Sequence, residues 1–275
     1  MSANNKIVKR FLDKIVVITG GNRGIGKEIA IKLSKLGVKV VVTATNEEKI
    51  NETVLEIKNS GGKAFGYLCD VSNPDSVNRI FKKIDTEVGS VDFLINNAGI
   101  GGIGGSLWTI DQENWWKVLE VNLRGPMLCT QAVLTNMIAN KSGTIINMGS
   151  YAGIRPLPYA SSYSVSKAAL IRFSDSIAES VKEYGINVFT VSPGLVLTDM
   201  TKDVQVFKDL PDEAWSSIEK ISELVVQLLL KDVSSLTGRF IHVNQELDGL
   251  IQKSDKIQKE GLYTLRLAGL DGLIE

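Results

Sequence analysis

Residues 163 to 167 read YSVSK, which sets a phenol four positions ahead of an ammonium. On a helix this spacing stacks Tyr163 and Lys167 on one face, one turn apart. A phenol so placed is a proton donor whose pKa, ordinarily about 10, a neighbouring cation lowers. A plain surface pair is the commoner source of these letters, so the pentapeptide decides nothing without its surroundings. A second stretch, TGGNRGIG (19–26), sets glycines at 20, 24 and 26 between a β-branched run and a helical pattern. Gly20 suits a tight turn, Gly24 lets backbone approach a pyrophosphate, and Gly26 permits close helix–sheet packing. The freed N–H groups and the helix dipole then face an anion, so this context predicts a dinucleotide site.

The elements that must position these residues alternate regularly. KIVVIT (14–19), VKVVVT (38–43), KAFGYLC (63–69), VDFLI (91–95), GTIINM (143–148), INVFTV (186–191) and RFIHV (239–243) are strand candidates. Amphipathic stretches separate them, with helices expected from Gly24 to about Leu36, from about Asn46 to Ser60, and from a start signalled by Ser72, Asn73 and Pro74. Continuous apolar runs suit strands buried on both faces. The alternation predicts an α/β fold, a doubly wound (Rossmann) parallel sheet of about seven strands with helices on both faces. No repeat or linker interrupts the pattern, so residues 1–275 read as a single domain, with 246–275 a C-terminal extension.

The 275 residues are 44% hydrophobic and 23% charged, with 31 basic and 31 acidic side chains. That balance gives no reason to expect nucleic acid or an anionic membrane as partner. Apolar runs such as LVVQLLL are too short to span a bilayer, and the polar N-terminus lacks a signal-peptide pattern. Cys69 and Cys129 are expected as buried free thiols in a reducing compartment. A cytoplasmic protein is the expectation. One histidine, His242, and two distant cysteines give no metal constellation, and His242 is expected as a packed side chain.

With NNAG (96–99), CDVS (69–72), VNLRG (121–125), NMGS (147–150) and SPGLVLT (192–198), the motifs run in order over roughly residues 13 to 245. Together they resemble the short-chain dehydrogenase/reductase family in its single-domain branch, similar to 3-oxoacyl carrier-protein reductases and related carbonyl reductases. The resemblance implies a catalytic quartet of Asn122, Ser150, Tyr163 and Lys167. Tyr163 would supply the proton, and Lys167 would lower its pKa and hold the nicotinamide ribose. Ser150 would hold the substrate carbonyl. Asn122 would distort its helix and hold a water between Lys167 and solvent; a turn or capping asparagine is the other reading.

The same resemblance implies cofactor contacts from Gly20, Asn22, Arg23, Gly24, Ile25 and Gly26 in the first turn. Asp70 and Val71 would meet adenine, with a simple helix cap as the alternative for Asp70. Asn97, Ala98 and Gly99 would lie beside the adenine ribose. Pro193, Gly194, Val196 and Thr198 would fix the nicotinamide carboxamide, next to Tyr163 and Lys167. Beyond the second strand, VVVTATNEE puts Ala44 or Thr45 where NAD-selective relatives carry a carboxylate. Thr45, Asn46 and Arg23 can all donate to a 2′-phosphate, so NADP(H) is expected ahead of NAD(H).

The implied activity is hydride transfer between nicotinamide and a ketone or secondary alcohol, with a small-molecule carbonyl or alcohol as partner. A 3-oxoacyl thioester reductase is a narrower version, and a dinucleotide sensor with little turnover is the alternative. Tyr159, Leu195, Leu197 and Met200 are expected to line an apolar substrate pocket, with Trp108 near its mouth. A homodimer or homotetramer is expected. The apolar load of Leu262, Tyr263, Leu265, Leu267 and Leu270 predicts that the tail docks on its own subunit or a neighbour.

Overall fold

A computed structural model describes residues 10–102, 104–269 and 272–273. Seven strands form one parallel sheet: β1 (Ile15–Thr19), β2 (Lys39–Ala44), β3 (Lys63–Leu68), β4 (Phe93–Asn96), β5 (Gly143–Met148), β6 (Ile186–Ser192) and β7 (Phe240–His242). Their order is β3-β2-β1-β4-β5-β6-β7, and every neighbouring pair is parallel. The chain reverses direction across the sheet between β1 and β4, the place where doubly wound folds open a ligand crevice. The expected Rossmann architecture is therefore the observed one.

β1 and β5 are buried at every position, which explains their unbroken apolar sequence. β3 differs, because it is the edge strand and alternates between covered and open positions. Its Leu68 is half exposed. The continuous apolar reading of KAFGYLC thus merges a one-sided strand with the buried Cys69 that follows it.

The crossovers include α1 (Gly24–Lys35), α2 (Glu47–Asn59), α3 (Pro74–Glu87), α4 (Gln112–Leu119), α5 (Gly125–Asn140) and α6 (Ser161–Val181). Local chemistry sets their starts. Asn46 accepts from Lys49 N at the head of α2, and Asn73 accepts from Ser76 N at the head of α3, where Pro74 occupies the first turn. A π-helical turn, Glu120–Arg124, joins α4 to α5. α7 (Ile218–Leu230) then leads toward β7.

After β7 the chain forms α8 (Leu247–Gln252) and α9 (Ser254–Lys259), and Leu247, Leu250 and Ile257 are buried in the main core. Leu262 packs against the same core. Beyond it, the Tyr263 carbonyl accepts from Phe240 N of β7 at 2.8 Å, and Arg266 pairs with Asp175 of α6 at 3.0 Å. The tail thus lies on its own subunit; Leu270 falls outside the described residues. A chain truncated after Gln245 should lose roughly 5 kcal/mol or more, since each buried aliphatic contributes about 1.5–3 kcal/mol. Thermal unfolding checks this, and an unchanged melting temperature would show that the packing contributes nothing.

Candidate active site

The C-terminal ends of the central strands open into a cleft of about 860 Å³. Its floor is the glycine-rich turn. Gly20 takes a left-handed φ of +63°, which the turn from β1 requires. Gly26 sits behind the turn, where an added Cβ would come within 2.4 Å of Asn97 Nδ2 and 2.6 Å of the Gly20 carbonyl. Gly24 faces the open side, its nearest neighbour across the space being Thr198 Cγ2 at 3.6 Å from a built Cβ.

Asn97 pins this floor to β4. Its Nδ2 donates to the Thr19 and Gly20 carbonyls, both at 3.0 Å. The backbone N–H groups of Asn97 and Ala98 donate to Thr19 Oγ1. The amide hydrogens of Asn97 are therefore spent on the turn itself. Asp70 lies at the far end, its Oδ1 accepting from Ser72 N at 2.9 Å and Ser72 Oγ at 2.7 Å. Burial alone would raise its carboxyl pKa, but the Ser72 hydrogen bonds and the Lys117 charge outweigh that and lower it. Asp70 is both a local turn brace and an ionised carboxylate on the cleft wall.

Tyr163 and Lys167 stand one turn apart near the start of α6, and both line the cleft. The Lys167 ammonium lies 5.5 Å from the centre of the Tyr163 ring. It is buried and donates to the Met148 carbonyl at 2.8 Å, which ties α6 to the end of β5. Burial pulls the Lys167 pKa from 10.5 to about 8. Burial pushes the Tyr163 phenol up, and the Ser150 hydroxyl pulls it only part of the way back. The phenol thus stands above its usual range, contrary to the lowering expected from Lys167.

Asn122 is fully buried within the π-helical turn. Its Oδ1 accepts from Ile100 N, and its Nδ2 donates to the Ile100 carbonyl and to Ser166 Oγ. A Cβ built on Gly99 would lie 3.2 Å from Asn122 Oδ1 and 3.8 Å from Lys167 Nζ, so these groups share one corner. Ser150 follows β5, its Oγ accepting from Ala152 N at 3.2 Å.

Of the residues that the motifs single out, Gly20, Asn22, Arg23, Gly24, Ile25 and Thr45 line the cleft. So do Asp70, Val71, Asn97, Ala98, Gly99, Pro193 and Thr198. Gly26, Gly194, Val196, Asn122 and Ser150 stand outside that lining. Leu197 and Met200 line the cleft as expected of an apolar wall, whereas Tyr159 and Leu195 do not. Trp108 is 84% exposed, and His242 stands edge-on to Tyr151 with ring centres 4.8 Å apart. The sequence reading missed the cleft-lining side chains of Lys49, Lys117, Asp199 and Lys202. Only their charge marks them in sequence, and charged residues crowd these surface segments.

The cleft carries five basic side chains, Arg23, Lys49, Lys117, Lys167 and Lys202, against two carboxylates, Asp70 and Asp199. A chain with no formal net charge thus collects positive charge at one site. The turn, its open face and this excess of cations fit a pyrophosphate-linked dinucleotide.

Comparison with known proteins agrees. Residues 14–209 match the short chain dehydrogenase family. The chain belongs to the short-chain dehydrogenases/reductases. It is 35% identical over 237 residues to the 3-oxoacyl-(acyl-carrier-protein) reductase FabG of Buchnera aphidicola, covering 84% of this chain and 96% of that one. A short-chain type dehydrogenase/reductase from Mycobacterium marinum superposes with a TM-score of 0.81 at 27% identity, covering 87% and 97% of the two chains. An NAD+-bound xylitol dehydrogenase superposes with a TM-score of 0.78 at 25% identity, covering 84% and 98%. As a member of the family, this short-chain dehydrogenase/reductase is an NAD(P)-dependent oxidoreductase acting on CH–OH or C=O groups. Among the described residues no helix is long and apolar enough to cross a membrane.

Proposed function

We propose that this dehydrogenase/reductase uses NADPH to reduce a ketone, with Tyr163 as proton donor. The observation that carries the reading is the corner where the Tyr163 ring, the Lys167 ammonium and the π-turn amide of Asn122 converge beside the cleft. Bound in the cleft, the nicotinamide supplies the hydride. Tyr163 gives its phenolic proton to the oxygen that develops negative charge, and Ser150 holds that oxygen in place. Lys167 stabilises the phenolate left behind and offers further N–H donors to ribose hydroxyls. Asn122 fixes the backbone at Ile100 through its paired hydrogen bonds and so holds the wall opposite α6.

The cofactor contacts proposed are Gly20, Asn22, Arg23, Gly24, Ile25 and Gly26 of the glycine-rich turn, Thr45, the Asp70–Val71 pair, Asn97, Ala98 and Gly99, and Pro193, Gly194, Val196 and Thr198, beside Tyr163 and Lys167. The preference for NADPH rests on the end of β2, where Ala44, Thr45 and Asn46 line the cleft without a carboxylate. Nothing there repels a 2′-phosphate or accepts from a 2′-hydroxyl with full charge.

A 3-oxoacyl thioester is the first substrate to test, because the FabG relatives carry that name and Leu197 and Met200 give the cleft an apolar wall. A cytoplasmic homodimer or homotetramer belongs to the same reading; Trp116, Met127 and Val165 expose apolar surface on α4, α5 and α6. NADPH oxidation with acetoacetyl thioesters and simple ketones should be readily detected. Tight NADPH binding with no oxidation by any carbonyl in the panel would instead make the protein a dinucleotide sensor.

A further inference from the structure

In the cleft Arg23 is paired with Asp199 at 2.8 Å, but a second arginine, outside the cleft, has no such partner. Arg239 stands in the turn that leads into β7, where it and Thr237 form one wall of a separate cavity of about 200 Å³. α6 supplies a second wall with Asp175 and Glu179, continued by Lys182 just beyond its end. α9 of the C-terminal extension closes the third side with Gln258, which donates to the Ser235 carbonyl at 2.8 Å. The docked tail thus completes the cavity.

The charges around it do not cancel. Asp175 Oδ2 accepts from Arg172 at 2.5 Å and from Arg266 at 3.0 Å, and Glu179 is taken by Lys182. Arg239 is left over. Among the described residues its guanidinium has no ion pair, and its Nε is buried without an acceptor. Four cations, Arg172, Lys182, Arg239 and Arg266, therefore surround two carboxylates. Burial lowers the Arg239 pKa and the Asp175 charge opposes this, but a guanidinium stays protonated at any working pH. A buried donor without a partner is rare in native structures, because it has given up water and gained nothing in return. Thr237 adds a further donor, since its oxygen accepts from Val188 N at 3.0 Å and its own hydrogen remains to be used.

We propose that this cavity binds a small oxyanion, a phosphate or a carboxylate, with Arg239 as its principal ligand and Lys182 and Thr237 as further donors. A planar guanidinium offers parallel N–H groups that match two oxygens of either group. At about 200 Å³ the cavity is smaller than the pockets that hold drug-sized ligands, so a small anion is the class that it takes. The anion would tie β7 and the tail to α6, the helix whose first turns carry Tyr163 and Lys167.

The melting temperature of the full chain, titrated with inorganic phosphate and separately with succinate, tests the site. Sodium chloride at matched ionic strength is the control, and excess NADPH occupies the basic cleft throughout. Wild type should gain stability from at least one probe, saturably and beyond the effect of chloride, and the probe that acts separates phosphate from carboxylate. Arg239→Gln should shift the midpoint of that response at least about tenfold, as expected when a charge-assisted contact is lost. Lys182→Ala, at an exposed position, should shift it about two- to fivefold and gives the reading if Arg239→Gln folds poorly. A response that these substitutions leave unchanged belongs to another site and overturns the inference. The absence of a saturable response to either probe overturns it as well.

Discussion

Tyr163→Phe should remove most of the turnover and leave cofactor affinity near that of wild type. The substitution deletes one oxygen from a half-buried ring and keeps the ring that the Lys167 ammonium faces at 5.5 Å. What disappears is the transferable proton, and positioned acid–base groups contribute about 10²- to 10⁴-fold to rate. A single-turnover measurement with NADPH and an active ketone should show a loss in that range, and near-wild-type turnover would remove Tyr163 from the mechanism. The pH profile adds an independent reading. Burial raises the phenol above its usual pKa, so at neutral pH the group is protonated and suited to donate. Carbonyl reduction should therefore be flat around neutrality and fall at high pH, while alcohol oxidation should climb with pH. In Tyr163→Phe both dependences on this group should vanish.

How much of this was legible in the sequence differs between the scaffold and the cleft. The strands were readable because each is an apolar run bounded by polar turns, and β5 begins and ends where GTIINM does. The edge strand β3 read like an interior one, because its alternation is blurred by the apolar residues on its exposed face. Asn46 and Asn73 announced their helices through local capping, which needs only neighbours in sequence.

Tyr163 and Lys167 were legible because a single helical turn brings them together. The Arg23–Asp199 pair was not, since its partners stand 176 positions apart and meet only when the chain closes over the cleft. The elevated Tyr163 pKa was also hidden, because desolvation depends on everything packed around the ring. The docked tail lay between these cases. Its apolar load predicted a surface to cover, but its seat against β7 and α6 depends on Phe240 and Asp175, which no local pattern links to it.

Lys167→Met should abolish turnover and at the same time make the protein's stability less dependent on alkaline pH. The ammonium is buried, and burial lowers its pKa from 10.5 to about 8 in the folded protein. A lysine with a depressed folded pKa binds its proton less tightly when folded than when unfolded. It therefore destabilises the fold, in full below about pH 8 and progressively less as the pH rises toward 10.5. The difference corresponds to roughly 3 kcal/mol at neutral pH. Methionine fills similar volume without charge, but it leaves the Met148 carbonyl without the donor that now stands at 2.8 Å, a loss of about 1–3 kcal/mol. These terms oppose each other at pH 7, so a melting temperature at one pH cannot separate them. The pH dependence can, because the lost hydrogen bond is a constant offset and the ionisation cost is not. Between pH 8 and 10 the stability of wild type should rise relative to Lys167→Met by on the order of 2 kcal/mol in denaturant titrations. Parallel curves would mean that the ammonium is not desolvated as described. Turnover should fall at least about a hundredfold in the same variant, as for removal of a preorganised charge in an active site.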